Sequence, residues 1–150
     1  MRWKSHARCG AGENLEITSK DYLSLSKTLD LVRPGGIIAF ITSKFTLDKK
    51  NSSIRSYIAQ RAELIGAIRL PKNAFYQVAG TTATTDILFL QKREQEIVPD
   101  KREINWLSIE EDENGVPVNS YFIDHPEMIL GTMAFDASMY ANEATTSCLP

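Results

Sequence analysis

Cysteine and histidine are scarce in this chain of 150 residues, with two of each. Cys9 and Cys148 lie near opposite ends without CxxC spacing, and His6 and His125 stand far apart with no HxxxH or HExxH pattern. These absences exclude a disulfide framework and a His/Cys metal centre. Both thiols are expected to be free, as in a reducing compartment. No run of about 18 apolar residues occurs, so no membrane span is expected. The opening MRWKSHARCG has charges but no apolar core behind them, unlike a secretory signal, and the expected location is cytoplasmic. GxSxG, Walker and Ser/His/Asp patterns are missing too. The acidic quartet EEDE (Glu110–Glu113) sits beside turn residues and reads as a solvated face, and His125 before Pro126 as a helix-start residue.

Acidic residues are thin on the ground in the first part of the chain. Residues 1–93 hold 15 Lys/Arg against 7 Asp/Glu, a net of +8, whereas residues 94–150 hold 2 against 12, a net of −10. Such a split makes the first segment a candidate for a polyanion partner. The alternative is that the two segments neutralise each other within the fold.

What is present reads as alternating helices and strands. ITSKDYLSLSKTLDLVRPGG predicts an amphipathic helix capped by Thr18 or Ser19, with Tyr22, Leu25, Leu29 and Val32 on one face, stopped by Pro34-Gly35-Gly36. IIAFITS (Ile37–Ser43) is apolar without alternation, the pattern of a strand covered on both faces as in parallel sheets. NSSIRSYIAQRAE predicts a second helix capped by Asn51, with Ile54, Tyr57 and Ile58 on one face. LIGAIRL (Leu64–Leu70) and DILFLQK (Asp86–Lys92) read as further strands, INWLSI (Ile104–Ile109) as a weaker one, EEDENGVPVN as a loop, and HPEMIL as a short helix opened by Pro126. Alternation of this kind predicts an α/β sheet. Between its last two core strands runs a connection of about 15 residues, Pro71 to Thr85, a length that is uncommon and usually functional. It holds two adjacent aromatics, Phe75 and Tyr76, then Gly80 and the hydroxyls of Thr81, Thr82, Thr84 and Thr85.

The composite VRPGGIIAFITS followed by LIGAIRLPKNAFYQVAGTTATTDILFLQK resembles the C-terminal part of the catalytic domain of adenine-specific DNA N6-methyltransferases. The likeness is to the methylase-helicase proteins of mobile elements and to type I modification subunits. It covers about Asp21 to Arg93, and ENGVPVNSYFIDHPEMILG resembles the segment after that domain. The resemblance implies a partial Rossmann-like class I methyltransferase sheet, its last three strands plus helices, in residues 18–93. An irregular segment (1–17) would precede it and an acidic extension (94–150) follow it.

Function follows from the same resemblance. Family members flip the target adenine from the duplex, and Phe75 falls where their stacking aromatic would lie, with Tyr76 as a second candidate. The alternative is that Phe75 plugs the core under its own loop. Lys44, Lys49, Lys50, Arg55, Arg69 and Lys72 cluster after strand ends or on the connecting helix, and Lys44, Lys49, Lys50, Arg69 and Lys72 are candidate DNA contacts. The cofactor implied for the complete enzyme is S-adenosylmethionine. The glycine-rich turn that binds it and the Asn/Asp-Pro-Pro-Tyr/Phe motif are both missing in proper form, since CGAGEN (Cys9–Asn14) follows no apolar strand. The chain alone is therefore expected to be inactive and without cofactor. It reads as a truncated or split enzyme needing its missing N-terminal half or a partner subunit, with weak, salt-dependent DNA binding. An open edge at Ile37–Ser43 further predicts a homodimer. The competing reading is a non-catalytic DNA-binding or assembly module that docks on a partner chain.

Overall fold

The computed structural model describes residues 20–136 and 145–150. Thr18, Ser19, His6, Cys9 and the CGAGEN turn lie outside them. Helix α1 (Lys20–Leu31) buries Leu25 and Leu29, two positions one turn apart. The turn that stops it needs its glycines. Gly35 has φ +78°, and a Cβ on Gly36 would lie 2.5 Å from Val32 Cγ1.

Strand β1 (Ile37–Ser43) leads through the short helix α2 (Phe45–Asp48) into α3 (Ser53–Arg61). Ser52, not Asn51, is the N-cap of α3 and makes no side-chain cap bond; Asn51 Oδ1 accepts from Ser53 N at 2.9 Å, one residue before the cap. Strand β2 (Ala62–Leu70), the four-residue helix α4 (Tyr76–Ala79) and β3 (Thr85–Lys92) follow. The sheet order is β1-β3-β2, with β3 antiparallel to both neighbours. β1 and β2 therefore run the same way, joined by the crossover through α3, with β3 between them. Helix α1 packs on β1, α3 on β2, and the two helices touch. Leu25, Leu29, Ile54 and Ile58 thus share one core with Ile38, Ala62, Ala67, Leu88 and Leu90.

Several expectations need correction. The sheet is not a parallel one covered on both faces. In β1, Ile38 and Thr42 are buried, while Ile37 is 65% and Ile41 53% exposed. The apolar run reflects an uncovered face, not double cover. INWLSI is not a strand: Asn105–Leu107 form a 3-10 turn that buries Trp106 and Leu107. EEDENGVPVN is not a plain loop. Its ends pair as β4 (Ile109–Glu111) and β5 (Pro117–Asn119), turned by Asp112, whose Oδ1 accepts from Asn114 N and Val116 N, and by Gly115 at φ +74°. Pro126 does open a short turn, Pro126–Met128, with His125 before it.

The last segment also contains α5 (Ser120–Asp124) and the antiparallel pair β6 (Thr132–Asp136) and β7 (Thr145–Leu149), which the sequence pattern did not signal. Acidic as it is, this segment does not stand apart. Trp106, Leu107, Val116, Val118, Tyr121, Phe122, Met133 and Cys148 join the same apolar core as the sheet, while Glu110, Glu111 and Glu113 point to water.

Candidate functional site

At the carboxyl ends of β1 and β2, the side where open α/β sheets bind ligands, charged and hydroxyl side chains converge. Arg69 is the hub. It is 0% exposed, and its Nε and Nη2 donate to Asp86 Oδ1 and Oδ2 at 2.8 Å each. Nη1 and Nη2 donate to Asp48 Oδ2 and Oδ1 at 2.7 and 3.0 Å. The guanidinium also lies over the Phe122 ring, 4.4 Å from its centroid. Burial works against the charge on Arg69, but Asp86 and Asp48 outweigh it and hold its pKa above the ordinary arginine value. Burial raises the pKa of Asp86, with Arg69 opposing; the bidentate geometry is that of an ionised pair. Asp48 further accepts from Asn119 N, and Asn119 Nδ2 donates to Leu47 O and Trp106 O. One network thus ties the sheet to the C-terminal segment. Arg69, expected as a DNA contact, has no surface in this structure and serves the interior.

Lys44 is also withdrawn, at 8% exposed, where its Nζ donates to Thr146 Oγ1 at 2.8 Å and lies 4.6 Å from the Phe45 ring centroid. Burial pulls its pKa below the ordinary lysine value; Asp48 opposes and Arg69 adds to the depression. Strand β7 makes three such contacts with this edge. Cys148 N donates to Thr84 Oγ1 at 2.9 Å, and Lys72 N donates to Cys148 O at 2.8 Å. Lys72 Nζ stands 3.7 Å from Asp136 Oδ2, each side chain about a third exposed. Cys148 is a free, buried thiol whose pKa burial raises, with Arg69 opposing.

The remaining candidates are accessible. Lys50 is exposed and Lys49 half-buried on the α2–α3 connection. The aromatic loop projects: α4 has no buried residue, Tyr76 is 59% exposed and Val78 88%, while Phe75 is half-buried. Gly80 ends α4 at φ +66°, in the left-handed region. Phe75 and Tyr76 therefore stand on the edge that carries Lys44 and Lys72, whereas Lys49 and Lys50 lie further along the chain.

Sequence reading missed the Asp48–Arg69–Asp86 network, although a signal was there. Arg69 and Asp86 are charges set beside apolar runs at the same end of adjacent strands, and the register sets them opposite one another. Among the described residues no group of carboxylates, histidines and cysteines has the makings of a metal site, and no helix is long and apolar enough to cross a membrane.

A family model for N-6 DNA methylases matches residues 2–121, most of the chain. The chain belongs to the N-6 DNA methylase family. No curated protein and no solved structure matches it.

Proposed function

We propose that the chain is one part of an S-adenosylmethionine-dependent DNA adenine N6-methyltransferase, supplying the loop that stacks on the flipped base and part of the DNA-facing rim. The α4 segment with no buried residue, its Tyr76 59% exposed beside the half-buried Phe75, is the observation that carries this reading. Aromatic rings left in water are costly unless something covers them, and an extrahelical base offers a matching π-face. Family membership and the βαβ crossover from β1 through α3 to β2 agree with it. Phe75 and Tyr76 are the stacking residues. Lys49, Lys50 and Lys72 contact phosphates; Lys44 joins them only once β7 has moved, and Arg69 acts by holding the edge together.

The described residues fit the cofactor poorly. A nucleoside ribose needs a free acidic acceptor at the strand ends, and the described acidic groups there are engaged, Asp48 and Asp86 by Arg69 and Asp136 by Ser147 Oγ and Lys72. With no Asn/Asp-Pro-Pro motif in the sequence, the cofactor and the amino-group acceptors come from another segment or a partner subunit. When bound there, the sulfonium supplies the methyl group; this chain orients the base.

A second reading, an assembly module, is favoured by the open edge of β1. Lys44 N donates to Thr84 O at 3.1 Å, which marks the even-numbered residues of β1 as those bonded to β3. Ile37, Ala39 and Ile41 therefore turn their N–H and C=O groups away from β3. That edge suits a homodimer.

Binding of the full chain to oligodeoxyadenylate and to an abasic strand of equal length, at low salt, tests the main reading. Stacking should favour the base-bearing strand by about 1–3 kcal/mol per engaged base, and Phe75→Ala with Tyr76→Ala should erase the difference. Equal affinity of the unaltered chain for both strands would remove the aromatic loop from this role.

A further inference from the structure

Arg55, in the first turn of α3, is a third buried cation, at 1% exposed, but it lacks what Arg69 has. Among the described residues no carboxylate lies within ion-pairing distance of it. Its hydrogen bonds go to main-chain carbonyls, Nε to Leu107 O at 3.1 Å and Nη1 to Lys49 O at 2.6 Å. Nη2 donates to no described group. The two carbonyls orient the guanidinium without neutralising it. Burial pulls the Arg55 pKa below the ordinary arginine value and Asp48, whose oxygens are bound by Arg69, opposes this only in part, so the buried guanidinium is under-compensated and suited to an anion.

Space for that anion is present. Arg55 forms part of the wall of an open-sided cavity of about 480 Å³, with Lys50 and Lys101 at its exposed rim and the hydroxyl-bearing Ser52 beside them. The acidic groups in the same wall are partly committed elsewhere. Asp48 is bound by Arg69 and by Asn119 N, and Glu110 Oε1 accepts from Ser120 Oγ at 2.8 Å, leaving Glu111 in water. Helix α3 is nine residues long and begins at this wall, adding the positive end of its dipole and first-turn N–H groups without partners inside the helix.

We infer that Arg55, Lys50 and Lys101 form an anion site that takes a phosphate group, carried by a free phosphate ester or by a DNA backbone. The planar fork of Arg55 offers Nη2 and the second hydrogen of Nη1 to two phosphate oxygens, a match that guanidinium makes better than ammonium. The two lysines close over the remaining oxygens as mobile point charges. The cavity is larger than inorganic phosphate, which leaves room for the group the phosphate is attached to. The site stands without the base-stacking reading and would serve it only in the DNA case.

Calorimetric titration of the full chain with inorganic phosphate at low chloride is the test. A single saturable site is expected, and the double variant Lys50→Ala/Lys101→Ala should weaken it about tenfold with unchanged Tm, since both positions are exposed. Arg55→Gln should abolish it; because that change also disturbs two bonds to carbonyls, its fold is checked by circular dichroism and the double variant decides. Heats no different from those of chloride, or a double variant that binds phosphate as well as the unaltered chain does, would overturn the site. A short duplex then separates the sources. If it displaces phosphate, and the double variant weakens both ligands by a similar factor, the phosphate is that of DNA. If phosphate binds and the duplex leaves it in place, the ligand is a free phosphate ester, and the anion site stands apart from any DNA contact.

Discussion

At the residue scale, two buried cations explain most of how the strand ends are built. Arg69 is satisfied by four charge-assisted hydrogen bonds to Asp48 and Asp86. Replacing it with Met would strand both carboxylates, Asp86 with no exposure at all. Arg69→Met should therefore cost about 3–5 kcal/mol in urea unfolding, far beyond the loss of one packed side chain. Lys44 provides a pH signature. Burial lowers its pKa in the folded chain, so unfolding takes up a proton at alkaline pH below the ordinary lysine value. Stability attributable to Lys44 should then rise with pH over that range. The stability of the unaltered chain minus that of Lys44→Met, measured from about pH 8 to pH 10, should climb; a flat or falling difference would mean that the ammonium is solvated.

At the scale of elements, the pair β6–β7 decides what the strand ends present. Thr146, Cys148 and Asp136 occupy Lys44, Thr84 and both ends of Lys72, the groups that the sequence pattern offered to DNA. The fit is tight at Gly131, where an added Cβ would lie 2.1 Å from Leu149 O and 2.8 Å from Cys148 Sγ. Backbone cannot yield as a flexible side chain can, so Gly131→Ala should push β7 off the edge. In a Cys9→Ser background, thiol labelling of Cys148 should accelerate about tenfold or more in that variant. Unchanged protection would show that β7 tolerates the shift in place.

At the scale of the whole molecule, the acidic segment is part of the core. Removing residues 94–150 would uncover the partners of Trp106, Leu107, Val118 and Phe122, all at most 7% exposed. Residues 1–93 alone should therefore fail to show cooperative thermal unfolding; a sharp transition in that fragment would mean that the sheet and its helices suffice. A dimer is the expectation for the side of β1 facing away from β3, a side that pairs with no other described strand. Two copies related by a two-fold axis at Ala39 would set Ile37 of each strand opposite Ile41 of the other, burying side chains now 65% and 53% exposed. Light scattering should report a dimer at micromolar concentration, and Ile41→Lys, a charge on that face, should shift it to monomer.

Local composition determined the two longer helices, the turn after α1 and the three apolar strands of this protein. Pro34-Gly35-Gly36 ends α1, α3 begins within two residues of Asn51, and β1 to β3 begin and end within about two residues of their apolar runs, because turns, proline and left-handed glycine act through nearest neighbours. The aromatic pair in the long loop, exposed Tyr76 and half-buried Phe75, was legible for the same reason, as rings placed in a largely polar segment. Strand order, the antiparallel β3 and the cover given by the acidic segment were decided only in the tertiary structure. A run such as IIAFITS says that a strand is apolar, but not which neighbour pairs with it or whether one face or two are covered. Which cations reach the surface was settled there too. Arg69, Lys44 and Arg55 look in the sequence like any other basic residue; the first two are drawn inside by Asp86 and Thr146, from 17 and 102 positions along the chain, and Arg55 by the carbonyl of Leu107, from 52. Such pairings depend on long-range geometry, and no local pattern encodes them.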